Sequence, residues 1–316
     1  MVKYLFVCVN MKVLVFCNNK SAAQIVFELI RKRVFAGIVL PAENTELIND
    51  ILDSGYIQEQ QLFTLALENC TELIEIVKSV NPDVCFTLTF PLIFKKEILD
   101  IPSQGFYNFH FGKLPEYRSA DPIFWQIRNR EKTGGLCVHK MNSRIDAGPV
   151  LFQEEIPIHS TDTYGSLLHK SAVLSSIKVG EILKLIEAED GKLITQNPKG
   201  SKYYPKPKLE DVNIDWKNME SAEIIATINA ANPWNKGAIT TISGEEIRIL
   251  QATPVNYDKE LPDQPGLVFY ADEKQGVFVI CKDQQLLRID AIYTPLGFSF
   301  GGRILSYGLI KGKVFE

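Results

Sequence analysis

The sequence predicts an α/β domain with a mostly parallel sheet, followed by a small β-barrel domain. Short β-branched runs alternate with helical segments as far as about residue 190, and this alternation is typical of a parallel sheet covered on both faces. Beyond a stretch rich in Pro and Lys, short strands separated by Gly- and Asp-rich turns indicate a small barrel. A chain of 316 residues is long enough for two domains.

The elements of the first half follow from the spacing of their apolar residues. Apolar residues at helical spacing, with Asn81-Pro82 as a breaker and Asp162 as a cap, define the helices. The predicted helices cover residues 21–35, 72–80 and 161–189. Continuous apolar runs define buried strands. The predicted strands cover residues 13–16, 37–40, 84–88, 105–111 and 135–141.

The composition changes after the long helix. The segment 197–207 contains prolines and lysines without periodicity, which is typical of a linker. We therefore divide the chain into a first domain over residues 1–195, a linker over 196–212 and a barrel domain over 213–316. The barrel domain is predicted to contain a helix over 221–231 and strands over 238–242, 247–252, 266–271, 276–281 and 285–292.

Composition and charge exclude several classes of protein. Hydrophobic residues make up 46% of the chain and charged residues 23%, which excludes a disordered protein. The apolar run at residues 4–9 is shorter than the apolar region of a typical signal peptide. We expect residues 1–10 to be a buried strand or an N-terminal extension. The chain has no run of about 18 apolar residues, so no membrane span is expected. Six cysteines without paired spacing indicate buried thiols in the cytoplasm.

Neither a metal nor a nicotinamide cofactor is predicted. The histidines and cysteines lack the spacing of metal ligands. Cys17-Asn18-Asn19-Lys20 stands where a dinucleotide site needs a Gly-rich turn. A formal net charge of −4 disfavours a protein that binds nucleic acid in general.

One candidate site lies at the end of the strand over 105–111. Asn108 and His110 are two residues apart, so on a strand both side chains point to the same face. Ligands of open α/β sheets bind at the carboxyl ends of the strands. An imidazole beside an amide donor there can move a proton and stabilise an oxyanion. The alternative is a structural histidine in the core, hydrogen-bonded to the asparagine.

A second polar group follows the strand over 135–141. If the two strands run in the same direction, their like ends bring Asp146 to His110. A carboxylate there would raise the pKa of the imidazole and orient its ring. The alternative is an ordinary turn, since Asp146-Ala147-Gly148-Pro149 has turn composition.

These residues resemble the folate-dependent formyltransferases, a family that includes enzymes acting on methionyl-tRNA, glycinamide ribonucleotide and amino sugars. The resemblance covers roughly residues 11–316. It is closest in character to the amino-sugar N-formyltransferases, and it implies a Rossmann-like formyltransferase domain followed by an OB-like barrel. The matching motifs are Asn108-x-His110, Leu114-Pro115-x-Tyr117-Arg118, Asp146-Ala147-Gly148, Ile214-Asp215-Trp216, Asn232-Pro233-Trp234 and Gly308-Leu309-Ile310-Lys311-Gly312.

The resemblance also implies roles for individual residues. The catalytic set would be Asn108, His110 and Asp146, and the formyl donor would be 10-formyltetrahydrofolate. The folate would lie against two loops, which comprise Pro91, Leu92, Ile93, Asn142, Ser143, Arg144 and Ile145. The acceptor would contact Tyr117 and Arg118. Asp121, which lies in a segment that departs from the family pattern, adds a carboxylate on the acceptor side that would suit a cationic substrate; the alternative is an N-cap of a helix that begins at Pro122. Ala120 stands where the amino-arabinose enzyme has an arginine that holds its substrate, so that particular sugar is disfavoured.

The acceptor is expected to be the amine of a small molecule. The segment 41–46 is short and acidic, whereas the methionyl-tRNA enzymes carry a long basic insertion there. Residues 205–316 contain 12 Lys and Arg against 15 Asp and Glu, although an RNA-binding surface is usually basic. Methionyl-tRNA formylation and a folate-binding or deformylating relative are the alternatives. Neither a nucleic-acid nor a membrane partner is expected, and the sequence is compatible with a homodimer.

Overall fold

A computed structural model describes residues 11–188 and 192–316. They divide into two compact units. The first contains the described residues up to Pro122, Gly134–Ile156 and Leu168–Tyr204. The second contains Ile123–Thr133, Pro157–Leu167 and Pro205–Glu316. The prediction for residues 1–10 and the predicted helix end at residue 189 lie outside the described residues, and the predicted domain boundaries stay a prediction.

Residues 13–204 form one large sheet, a two-stranded sheet and most of the helices. The strands are β1 (Val13–Cys17), β2 (Phe35–Pro41), β3 (Leu62–Leu65), β4 (Val84–Leu88), β5 (Gly105–His110), β6 (Arg118–Ser119), β7 (Thr133–Lys140), β8 (Val150–Pro157) and β9 (Tyr203–Tyr204). The two-stranded sheet consists of β6 and β9. The helices are α1 (Ala23–Arg31), α2 (Thr45–Asp53), α3 (Cys70–Val80), α4 (Lys96–Leu99), α5 (Pro122–Arg128) and α6 (Tyr164–Glu187).

The large sheet has seven strands in the order β3-β2-β1-β4-β5-β7-β8. The pairs from β3 to β5 are parallel. The prediction of an α/β fold with a mostly parallel sheet is therefore confirmed. The pair β5–β7 is antiparallel, and this reversal determines how the candidate site is built.

Several local predictions were wrong or incomplete. The predicted helix over 21–35 ends at Arg31, because Arg33 takes a positive φ of 62° and Phe35 begins β2. The sequence analysis missed β3, β8 and α2. Helix α2 begins directly after Asn44, whose side chain accepts a hydrogen bond from the Leu47 amide (3.2 Å).

Aromatic side chains fill one face of the large sheet. Phe16 on β1 lies edge-on to Phe90 and Phe94, with ring centroids 5.4 Å apart in both pairs, and contacts Phe106 on β5 at 5.6 Å. The same cluster includes residues of α3 and α4, such as Leu73 and Ile98. These contacts fix the positions of β4 and β5, the two parallel strands that lead into the candidate site.

The second unit contains an antiparallel sheet. Its elements are α7 (Ser221–Ala231), β10 (Ala238–Ile242), β11 (Glu245–Val255), β12 (Val268–Asp272), β13 (Gly276–Ile280), β14 (Leu286–Thr294) and β15 (Gly297–Phe300). The strand order is β10-β11-β14-β13-β12, with β15 paired to β14. Phe315 bridges to β10, and Val314 bridges to Leu267 beside β12, so the end of the chain pairs at both edges. The antiparallel sheet confirms the predicted fold class, and the OB-like topology stays a prediction.

The cysteines that the structure describes with their side chains are buried and free, namely Cys17, Cys85, Cys137 and Cys281. Burial raises the pKa of the Cys17 thiol to about 12. For these four residues the prediction of buried thiols is confirmed. None of the helices in the described part of the chain combines the length and the apolar character needed to cross a membrane.

Candidate active site

The antiparallel pairing of β5 and β7 places four side chains on one face of the sheet. Asn108 lies opposite His139, and His110 lies opposite Cys137. Directly opposite residues of paired strands share a face, as do residues two apart. The Nδ2 atom of Asn108 is 3.3 Å from Nε2 of His139. The sequence analysis did not single out His139, although it is buried at the centre of the site.

Asp146 reaches this face by a route that the sequence did not predict. Because β7 is antiparallel, its carboxyl end lies toward the amino end of β5, where Lys140 pairs with Tyr107. The expectation that like strand ends bring Asp146 to His110 is therefore wrong. Residues 142–149, the Asp146 loop, fold back instead, and the Lys140 amide donates to the Pro149 carbonyl (2.9 Å). Asp146 itself has a positive φ of 47°, which an aspartate tolerates in a turn.

The folded-back loop completes a polar cluster of Asn108, His110, His139 and Asp146, of which Asn108 is half-buried and the other three are buried. The Asp146 Oδ2 atom is 3.7 Å from Nδ1 of His110. Its Oδ1 atom is 3.5 Å from Nε2 of His139 and 3.5 Å from Nδ2 of Asn108. The structure thus brings together the three residues predicted as catalytic and adds His139 to them.

His110 presents one ring nitrogen to the cluster. Its Nε2 atom lies 2.7 Å from the Tyr117 carbonyl oxygen, so Nε2 carries a proton and donates it. Burial lowers the pKa of His110, and the charge of Asp146 does not compensate for the lost hydration. Asp146 acts on this pKa in the expected direction and raises it, but burial has the larger effect, so the net pKa lies below its ordinary value. At neutral pH the ring is uncharged, and Nδ1 is a proton acceptor that faces Asp146.

Asp146 is ionised in the same environment. Burial by itself raises the pKa of this carboxyl, but the two histidines and the Ser119 amide, which donates to Oδ2 (3.2 Å), together hold the pKa below its ordinary value. The cluster therefore contains a fixed negative charge next to an uncharged imidazole.

The amide of Asn108 is held in one orientation. The Thr87 hydroxyl on β4 donates to Oδ1 of Asn108 (2.9 Å), and the two residues are opposite each other in the parallel register. The amide nitrogen must then face the cluster, where it can donate to an oxygen that acquires negative charge. Thr87 is a second residue that the sequence analysis missed.

The two loops predicted to hold the folate have exposed apolar side chains. Ile93, in the loop after β4, is 68% exposed, and Ile145, directly before Asp146, is 47% exposed. Pro91 is also exposed and Leu92 is half-buried. Asn142, Ser143 and Arg144 are exposed, and the Asn142 side chain accepts from the Arg144 amide (2.9 Å). Exposed apolar side chains of this kind suit the apolar faces of a ring-shaped ligand.

The residues predicted to bind the acceptor make contacts within the protein. Tyr117 is buried and stacks on Tyr204, with ring centroids 5.0 Å apart. The Arg118 guanidinium donates to the side chains of Gln196 and Ser201. The Asp121 amide donates to the Ser119 hydroxyl (2.9 Å). Their role toward an acceptor stays a prediction.

Comparison with known sequences decides the family. Residues 8–178 match the family described as formyl transferase, and residues 206–295 match its C-terminal domain. The chain belongs to the formyltransferase family. A methionyl-tRNA formyltransferase of Thermotoga neapolitana is 32% identical over 211 residues, which cover 67% of this chain and 66% of that protein. One of Dictyoglomus thermophilum is 34% identical over 218 residues, 67% of this chain and 68% of that protein. The chain thus matches about two thirds of the length of these relatives.

Solved structures share the fold of this chain. HypX from Aquifex aeolicus in complex with tetrahydrofolic acid superposes with a TM-score of 0.66 over 93% of this chain and 47% of that one, at 18% identity. An N-formyltransferase from Helicobacter canadensis, in complex with folinic acid and dTDP-3-aminofucose, has a TM-score of 0.63 over 88% of this chain and 98% of that one, also at 18% identity. At this level of identity the formyltransferase fold is what they share.

Proposed function

We propose that the protein is an N-formyltransferase that moves the formyl group of 10-formyltetrahydrofolate to the amine of a small molecule. The observation that carries the proposal is the arrangement of Asn108, His110 and Asp146, in which a buried, uncharged imidazole lies beside a buried, ionised carboxylate and an oriented amide. Formyl transfer to an amine needs an acceptor for the amine proton and a donor to the carbonyl oxygen, and the cluster contains both.

Three residues of the cluster, Asn108, His110 and Asp146, each have one task in this reaction. The bound folate would supply an activated formyl group on a nitrogen that can leave. Nδ1 of His110 accepts a proton as the amine forms its bond to the formyl carbon. Asp146, 3.7 Å away, stabilises the imidazolium that results. Asn108 Nδ2 donates to the formyl oxygen. The proton held by His110 is then available to the departing nitrogen, so the ring returns to its uncharged state.

A small amine is favoured as the acceptor by the charge of the chain. Residues 205–316 contain 12 basic against 15 acidic residues, and an excess of negative charge opposes binding to an RNA backbone. Only residues 42–44 separate β2 from α2, so no long insertion is present there. The second candidate is formylation of methionyl-tRNA, which is supported by the methionyl-tRNA formyltransferases that match this sequence.

The test is tetrahydrofolate release from 10-formyltetrahydrofolate in the presence of separate acceptor pools. The pools are nucleotide-linked amino sugars, free amines with amino acids, and charged initiator tRNA. His110→Ala serves as the blank, and a reaction without acceptor detects hydrolysis. Release confined to a small-molecule pool is the expected result. Release with the tRNA alone would assign the second candidate, and release without any acceptor would assign a deformylating enzyme.

Two further predictions accompany this proposal. A cytoplasmic location agrees with the buried free cysteines. A homodimer is a separate expectation, and light scattering of the purified protein measures it directly.

A further inference from the structure

The segment over residues 192–204 contains one residue that stands apart from its neighbours. From residue 192 to residue 200 every side chain is exposed except that of Gln196, which is 9% exposed. The segment overlaps the predicted linker, yet it pairs with the first unit at both of its ends. Ile194 and Val150 exchange two backbone hydrogen bonds of 2.8 Å each, and β9 pairs with β6. A buried amide side chain in an otherwise exposed segment indicates a specific role for Gln196.

The Gln196 side chain uses its full hydrogen-bonding capacity. Its Nε2 atom donates to the carbonyl oxygens of Asp146 (2.8 Å) and Gly148 (2.6 Å). Its Oε1 atom accepts from Nε (3.2 Å) and Nη2 (2.7 Å) of Arg118. An amide has two N–H groups and two acceptor lone pairs, so all of them are satisfied here. Because Arg118 can only donate, it fixes which end of the amide faces the Asp146 loop.

The two carbonyls that Gln196 binds belong to the part of the loop that turns back over the sheet. Asp146 has a positive φ, and Gly148 lies so close to Lys140 that a side chain has no room. A loop held this tightly needs its buried carbonyl groups satisfied, since a buried unpaired carbonyl favours an opened conformation. The Asp146 carboxylate would move with that backbone, away from Nδ1 of His110.

The segment also connects Asp146 with the backbone that holds His110. The Tyr117 carbonyl accepts from His110, the Ser119 amide donates to Asp146, and Arg118 lies between them. The Arg118 amide in turn donates to the Lys202 carbonyl (3.1 Å). The 192–204 segment therefore holds Arg118, which lies between the residue that bonds to His110 and the residue that bonds to Asp146.

We propose that Gln196 is a positioning residue that holds Asp146 against His110, with Arg118 fixing the orientation of the Gln196 amide. This proposal rests on the proposed function, because it assigns a task in the reaction to a residue that touches neither the substrate nor the formyl group. It also gives Arg118 a role that differs from the predicted contact with the acceptor.

Four variants test the proposal. Gln196→Ala removes both donors, and Gln196→Glu removes them while preserving the shape of the side chain and the contact with Arg118. Arg118→Gln removes the group that orients the amide. Asn197→Ala is the matched control, since the Asn197 side chain is exposed and bonds to the amide of Lys199.

Two measurements separate positioning from a general effect on folding. The first is kcat and KM for the amine, with the acceptor pool that supports turnover. We expect both Gln196 variants to lower kcat about 100-fold, the effect of misplacing a catalytic group by about 1 Å, while KM changes less than threefold. Arg118→Gln should also lower kcat with little change in KM, whereas a contact with the acceptor would raise KM.

The second measurement is amide hydrogen exchange of the peptide that spans residues 141–150, read by mass spectrometry. We expect exchange at least tenfold faster in the Gln196 variants, and unchanged exchange in Asn197→Ala. If Gln196→Ala does not fold, Gln196→Glu provides the same two readings. In a folded Gln196 variant, either wild-type kcat or wild-type exchange of this peptide would overturn the proposal.

The exchange measurement also keeps this inference distinct from the proposed function. If the wild-type protein releases no tetrahydrofolate with any acceptor pool, the proposed function fails. Faster exchange in the Gln196 variants would then still show that Gln196 stabilises the conformation of the Asp146 loop. If the wild type is active and the loop exchanges at the wild-type rate in every variant, the positioning role fails alone.

Discussion

Replacing Gly148 with alanine should inactivate the site although it removes none of the polar side chains of the site. A Cβ atom built on Gly148 would lie 1.7 Å from the Lys140 carbonyl oxygen and 2.9 Å from the Lys140 carbonyl carbon. Both contacts are to backbone, so no side chain can move aside to relieve them. The Asp146 loop must therefore move away from β7.

The size of the movement follows from these distances. Real Cβ atoms essentially never approach a heavy atom closer than 3.0 Å, so the backbone around Gly148 has to shift by at least 1.3 Å, the difference between 3.0 and 1.7 Å. Misplacement of a catalytic group by about 1 Å costs about 100-fold in rate. Overpacking of a well-packed region costs about 1–3 kcal/mol of unfolding free energy. The protein should remain folded while kcat falls at least 100-fold.

The assay is tetrahydrofolate release, combined with thermal unfolding of the same preparation. Gly200→Ala is the control, since a Cβ at Gly200 meets only Pro115 Cγ at 3.7 Å, an ordinary contact. This control should keep kcat within twofold of the wild-type value. A folded Gly148→Ala protein with wild-type kcat would refute the reasoning, because it would mean that the position of the Asp146 loop does not limit the reaction.

Three further predictions concern the cluster and the second unit. Asn108→Ala should lower kcat about 100- to 1,000-fold through loss of one donor to the formyl oxygen, and Thr87→Val should have a smaller effect in the same direction; equal KM values check that binding is intact. Burial lowers the pKa of His110, so kcat should decrease with acidification only below about pH 6.5, where the ring becomes protonated. Because the unfolded chain binds this proton more readily than the folded one, the unfolding free energy should fall as the pH drops below about 6.5. Urea-induced unfolding at several pH values checks this, and His110→Asn should lack the part of the pH dependence that His110 causes. Trp216 is buried and donates to the Thr240 hydroxyl (2.9 Å), so Trp216→Ala should cost about 3–5 kcal/mol in urea-induced unfolding, and a loss below 1 kcal/mol would contradict a core role.

The buried strands were predictable because they are continuous apolar runs. Strands β1, β4 and β5 lie at or within one residue of the predicted positions. Strand β8 was missed because its central residues Gln153, Glu154 and Glu155 are polar, and short polar-interrupted strands lack the periodic signal. Strand β3 has only four residues, which is too short for any pattern to stand out.

The direction of β7 was not predictable from its residues. Side chains alternate between the two faces in the same way in a parallel and an antiparallel strand, so the composition of Thr133–Lys140 contains no signal for direction. Long-range pairing settles the direction, and the pairing also reveals His139, which meets a residue 31 positions earlier in the chain. The available signal was a histidine inside an apolar run, and this pattern is equally typical of a structural histidine in the core.

The charge states could not be predicted either. Sequence spacing placed a carboxylate near an imidazole, and proximity alone raises the pKa of the imidazole. How deeply the ring is buried depends on the segment around Tyr117, which closes over Nε2. Burial outweighs the neighbouring charge, and this balance is a property of the folded chain.

The interleaving of the two units has a practical consequence for anyone who wishes to express them separately. Residues Ile123–Thr133 and Pro157–Leu167 belong to the C-terminal unit although they precede residue 205. Trp125 donates to the Pro205 carbonyl (2.7 Å), and the Asn229 side chain donates to the Ser160 carbonyl (3.0 Å). A gene cut after residue 204 would leave these segments without the core they pack into, as apolar surface on a fragment prone to aggregate. Two family domains match this chain, but neither matched range contains all the segments of one structural unit.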